Sequence, residues 1–121
     1  MTVEIVSDSA AIVMLGGDHD VASRQAIADA FAVAGPDRDL LVDLTECTFV
    51  DSTIIKLLLH TMRSLEEHDA RLELVIDSDP RGHVARVAEL MGIADVIPTH
   101  GSRGEGMSSL AGGEGAPSTY A

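Results

Sequence analysis

The segment Phe49-Val50-Asp51-Ser52-Thr53-Ile54-Ile55 sets two hydroxyl side chains beside a carboxylate, at the point where a polar stretch gives way to an apolar helical pattern. The first backbone N–H groups of a helix have no intrahelical partner and lie at the positive end of its dipole. A phosphate on Ser52 would therefore stand where the fold accommodates an anion. Asp, Ser and Thr are also the common caps of helix N-termini, and spacing alone does not say whether Asp51 or Ser52 is the cap.

Other constellations carry less chemistry. Gly16-Gly17-Asp18-His19-Asp20 flanks one histidine with carboxylates. Successive side chains on an extended chain point opposite ways, so a metal there would need ligands from elsewhere; the simpler reading makes Asp20 the N-cap of a helix that begins at Val21. Neither a metal nor a cofactor is expected. A hydrolase would pair Ser52 and Asp51 with one of the five histidines, but a G-x-S-x-G elbow is missing and sequence neighbours cannot form the base relay. Asp79-Pro80-Arg81-Gly82-His83 lacks the phosphate-loop pattern and reads as a capped helix start. Cys47, just before an apolar pair, reads as a buried, inert thiol. The expected protein is not an enzyme.

The elements that must hold these residues follow from periodicity. Thr2 to Ser7 and Ala10 to Gly16 are Val- and Ile-rich runs around the turn residues Asp8-Ser9, which predicts a hairpin. Val21 to Ala34 recurs at three- and four-residue steps and is closed by Gly35-Pro36, which predicts an amphipathic helix. Leu40 to Leu44 is a continuous apolar run suited to a central strand covered on both faces. From Ile54 to Leu65 the apolar positions run nearly all round a helix, with Ile55, Leu58, Leu59, Met62 and Leu65 deepest. Leu72 to Ile76 reads as a strand. The next helix carries Val84, Val87, Ala88 and Met91 and ends at Gly92 in a left-handed cap, before a last short strand over Ala94 to Ile97. Beyond His100 lie six of the eleven glycines, and this tail is expected to be disordered. Strands alternating with helices give an α/β fold with a mainly parallel sheet and an N-terminal β-hairpin. The expected organisation is one domain over 1–99 and a tail over 100–121.

Composition narrows the partners. With Lys+Arg at 8 against Asp+Glu at 20 among 121 residues, the net charge is -12, which repels nucleic acid and anionic membrane surfaces. Aromatics at 2% leave no stacking platform for bases or sugars. One cysteine cannot form an internal disulfide, in keeping with a cytoplasmic location.

Leu41-Val42-Asp43-Leu44 followed by Phe49-Val50-Asp51-Ser52-Thr53 resembles the signature of STAS domains, specifically of bacterial anti-sigma factor antagonists. In that family a strand reading V-D-L-S leads to a loop ending F-[IM]-D-S-[ST]-G-L, and Gly17-Asp18-His19-Asp20 is similar to the family's G-E-L-D. The resemblance runs from about Val3 to Thr99 and implies a STAS-like fold. It further implies that Ser52, with Thr53 as the second candidate, is phosphorylated by an anti-sigma factor that is also a serine kinase. The unphosphorylated form then holds the anti-sigma factor and frees the sigma factor, and a PP2C-type phosphatase resets the switch. Asp20, Asp51 and Thr53 map beside that serine; Lys56, His60 and Arg63 would flank it, and Ile54 or Ile55 would add an apolar contact. The chain departs from the pattern at Ile54, where the family has glycine, at His19, and after the last strand, where the Gly/Ser-rich tail replaces the family's helix. A second implied function, of another class, is a STAS-type docking subunit of an ABC lipid-transport complex.

Overall fold

In a computed structural model, the structure describes every residue except Asp20, Ser78, Pro80 and Ala121; at Asp18, Val21 and 113–120 it describes the backbone alone. The chain opens with the expected hairpin: β1 (Thr2–Ile5) runs antiparallel to β2 (Ala10–Met14), with Val3 opposite Val13. Parallel strands follow at β4 (Asp39–Asp43), β6 (Leu72–Val75) and β7 (Thr99–His100), giving a five-stranded sheet in the order β1-β2-β4-β6-β7. β4 is central, as its unbroken apolar run requires, and all five of its residues are buried. Two strands went unrecognised in the sequence. β3 (Gly17–His19) and β5 (Cys47–Val50) form a separate parallel pair.

One face of the sheet carries Ala11, Val13, Leu40, Val42, Leu72 and Leu74 and is covered by three helices. These are α1 (Arg24–Ala34), preceded by a 3-10 turn over Val21–Ser23, α2 (Ser52–Glu66), and α3 (His83–Leu90). α2 buries Ile54, Ile55, Leu57, Leu58, Met62 and Leu65. A fully buried side chain of this size contributes about 1.5–3 kcal/mol, so α2 is the main anchor of this layer. α3 starts later than the sequence suggested, because Asp79 and Arg81 close a turn in which Asp79 Oδ1 accepts the Arg81 N–H at 3.0 Å. Gly92, at φ 65°, ends that helix as expected. The predicted strand over Ala94 to Ile97 is instead a 3-10 turn at Ile93–Asp95, because Ile93 and Ile97 both turn into the core, and the last strand follows at Thr99.

The other face overturns the expected tail. A fourth helix, α4 (Arg103–Tyr120), lies across β4 and β6, and Leu110 and Met107 pack on Ile12, Leu41 and Val75. The helix that follows the last strand is therefore present. Glycine allows the approach: a Cβ on Gly106 would meet Leu41 Cδ1 at 2.6 Å. This face also buries three carboxylates. Asp39 Oδ1 accepts the Arg71 N–H at 2.9 Å, and Glu73 accepts from Arg71 Nη2 and from His100 Nε2, both at 2.7 Å. Asp43 accepts from Arg103 Nε at 2.5 Å and from the Thr45 hydroxyl at 2.6 Å. Burial pushes the Asp43 carboxyl up, but the bonds from the Thr45 side chain, Arg103 and the Thr45 N–H, with the Arg103 charge, outweigh it and hold the group below the usual carboxylate value. Arg71 Nη2 also donates to Ser109 O at 2.9 Å, so ionic contacts and apolar ones fasten α4 together.

Candidate functional site

The loop entering α2 is positioned by the small β3–β5 sheet. His19 pairs with Val50, and the Asp51 N–H donates to His19 O at 3.3 Å. The two segments singled out in the sequence, 16–20 and 49–55, are thus brought side by side by a parallel ladder. Asp20 follows His19 directly, but it lies outside the described residues, as do the Asp18 side chain and the Asp20 cap. His19 itself is buried, its Nε2 donating to Gly16 O at 2.8 Å while Nδ1 has no partner among the described residues.

Asp51, not Ser52, caps α2. Its backbone is extended (φ -100°, ψ 175°), and Oδ1 accepts the Thr53 and Ile54 N–H groups at 3.0 and 3.2 Å. Ser52 is the first helical residue and is exposed, with its hydroxyl in no hydrogen bond among the described residues. Thr53 is half-buried. Lys56, His60 and Arg63 are exposed. At 100° per residue, positions 52, 56, 60 and 63 fall within one stripe, so Ser52 heads a row of basic side chains, with Lys56 one turn away.

The expected apolar contact at Ile54 or Ile55 is corrected by the structure. They are 0% and 1% exposed and belong to the core, where a partner cannot touch them. Ile54, which stands where the resemblance has glycine, points inward, and Ser52 before it stays exposed. Apolar surface is supplied from elsewhere. Phe49 is 39% exposed and stacks on His83 with centroids 4.7 Å apart, and His83 Nε2 donates to Val50 O at 3.1 Å. From there the exposed Leu90, at 86%, and Met91 continue on the outer side of α3, while Val87 is half-buried against the core. Reading α3 as a single apolar stripe hid this ridge. Its signal was that Leu90 lies off the buried Val84/Ala88 face.

Comparison with known proteins places the fold. The family model described as "Mlab, STAS domain" matches residues 4–98. Among solved structures, the anti-sigma factor antagonist SpoIIAA in its unphosphorylated form superposes with a TM-score of 0.71 at 22% identity, covering 92% of this chain and 96% of that one. The phosphorylated form of the Bacillus cell fate determinant SpoIIAA gives a TM-score of 0.67 at 20% identity, over 90% and 97% of the two chains. A protein of Thermotoga maritima described as a putative anti-sigma factor antagonist gives 0.74 at 13%, over 91% and 93%. No curated protein matches the sequence. Among the described residues, no helix is long and apolar enough to cross a membrane. By the match that spans most of its length, and by a fold shared with SpoIIAA, the chain belongs to the STAS domain family.

Proposed function

We propose that this protein is an anti-sigma factor antagonist of the cytoplasm, switched at Ser52, that controls sigma-factor-dependent transcription by holding or releasing an anti-sigma factor with serine kinase activity. The observation that carries this reading is the division of labour at the start of α2: Asp51 does the capping, which leaves the exposed Ser52 hydroxyl free of structural duty. Thr53, half-buried behind it, is the poorer acceptor. The contact surface comprises Asp51 and Thr53 beside the serine, Asp20 as the resemblance implies, the Lys56, His60 and Arg63 stripe along α2, and the Phe49–Leu90 ridge in place of Ile54 and Ile55.

A phosphate on Ser52 adds about 1.5–2 negative charges at a helix N-terminus with Lys56 at i+4, so the helix tolerates it. Beside Asp51, at a surface that a partner must desolvate, the same charge breaks complementarity and releases the partner without refolding. A PP2C-type phosphatase then restores binding. Incubation with the cognate anti-sigma kinase and ATP, followed by mass spectrometric mapping, tests the reading. Phosphate on Ser52 is expected, with Ser52→Ala unmodified yet still bound. Absence of phosphate from both Ser52 and Thr53 with intact binding would remove the switch and leave a binding module.

The match to a family model described as Mlab, rather than as an antagonist, supports a second reading: a STAS-type docking subunit of an ABC lipid-transport complex that uses the same face without a phosphate. Recovery of an ABC ATPase in a pull-down, in place of a kinase-like anti-sigma factor, would favour it.

A further inference from the structure

We propose that the cleft between α3 and the C-terminal ends of β6 and β7 is a second docking surface, which receives a basic amphipathic helix from a protein partner. The cleft has a volume of about 450 Å³. Its depth follows from small residues: Ala85, Ala88 and Gly92 on the α3 side and Ala94 on the returning 3-10 turn leave room above the Ile76 side chain. Gly92 makes that return possible, because its φ of 65° reverses the chain where α3 ends and so forms the opposite wall.

The rim fixes the charge of the occupant. Asp77, Glu89 and Asp95 come from three different segments, all are exposed, and none is in an ion pair among the described residues. His100, the one ionisable lining group that is not an acid, donates to the buried Glu73. An apolar floor ringed by unpaired carboxylates fits a helix that inserts apolar anchors spaced at i and i+4 and lays Lys or Arg along its flanks. A second copy of this chain, with its net charge of -12, would bring like charge to the same rim. The cleft is also separate from the Ser52 face. His83 of α3 stacks on Phe49, with Leu90 on the same side of the helix, whereas Ala85, Ala88, Glu89 and Gly92 line the cleft, on sides about 180° apart at 100° per residue. Both partners can therefore be held at once, and the inference stands or falls apart from the reading of Ser52.

The probe is an amphipathic peptide of Leu and Lys, with its Leu/Glu counterpart as control, titrated into the isotopically labelled full chain and read by amide NMR shifts. Saturable shifts centred on Ala85, Gly92, Ala94 and Thr99 are expected with the Leu/Lys peptide and absent with the Leu/Glu one. The exposed double reversal Glu89→Lys/Asp95→Lys and the cleft-filling Ala94→Leu should each weaken binding at least tenfold, while Leu90→Glu leaves it unchanged. The proposal is overturned by no saturable shift, by shifts centred on residues 49–56, by equal binding of the Leu/Glu peptide, or by spermidine giving the same shifts as the peptide. It is overturned equally if the variants, with native circular dichroism, bind as well as the parent.

Discussion

Replacing Asp51 by alanine separates the capping role of this residue from its place on the docking face. The substitution leaves the Thr53 and Ile54 N–H groups without the acceptor they now share at 3.0 and 3.2 Å. Loss of a side-chain cap costs about 0.5–2 kcal/mol, and removal of a negative charge from a helix N-terminus costs about 0.3–1 kcal/mol more. With one oxygen serving two donors at a half-buried site, Asp51→Ala should cost about 1.5–2.5 kcal/mol. For 121 residues at about 2.1 cal/mol/K each, that lowers Tm by about 6–10 °C. Asp51→Asn keeps an acceptor and loses only the charge, so its cost should stay at about 0.3–1 kcal/mol. Thermal and urea unfolding followed by circular dichroism read both variants, with the urea slope unchanged. A loss below about 0.3 kcal/mol for Asp51→Ala, or equal losses for the two variants, would refute the capping argument and return Ser52 to the role of cap.

Four further outcomes are expected. Because the folded Asp43 carboxyl lies below its ordinary value of 3.8, its pairing stabilises the protein above that pH and the contribution is lost as pH falls through the lowered value. The stability gap between the parent and Asp43→Asn in urea unfolding should therefore narrow below pH 3.8. Gly106→Val drives a side chain into Leu41 and should cost about 1–3 kcal/mol, with limited proteolysis cutting α4 faster than in the parent. Ile54→Gly, which restores the family residue, empties a fully buried site and should cost about 3–5 kcal/mol in urea unfolding. Leu90→Glu, on a side chain 86% exposed, should change stability by less than about 0.5 kcal/mol yet weaken capture of the anti-sigma factor in a pull-down.

Where a run or a period was unbroken, the sequence was legible. The hairpin follows from two Val- and Ile-rich runs around turn residues, the central β4 from an unbroken apolar run and the buried stripe of α2 from a 3.6-residue pattern, and the Asp51-Ser52-Thr53 joint marks the change from a polar stretch to that helical pattern. The rest was hidden for physical reasons. β3 and β5 span three and four residues and pair only with each other, too short for a period to show. α4 has the composition of a linker, and one of its glycines, Gly106, is demanded by the close approach to Leu41, so a residue that permits packing adds to the disguise. The resemblance offers Ile54 or Ile55 as a partner contact because they neighbour Ser52, although periodicity already sets Ile55 in the deepest stripe of the helix, and the structure buries both. The Phe49–His83 stack joins residues far apart in the chain, and local spacing carries no trace of it.

The ionic underside of the sheet also sets an order of events at the ribosome. Asp39, Asp43 and Glu73 emerge well before Arg103, and the stretch that carries Leu110 comes later still. Until it arrives, the nascent sheet presents Ile12, Leu41 and Val75 to solvent beside carboxylates that only partly have their counter-ions. A stop codon or fusion junction placed upstream of Leu110 would freeze the chain at that stage, with a sticky, acidic flank where the finished protein has a closed one.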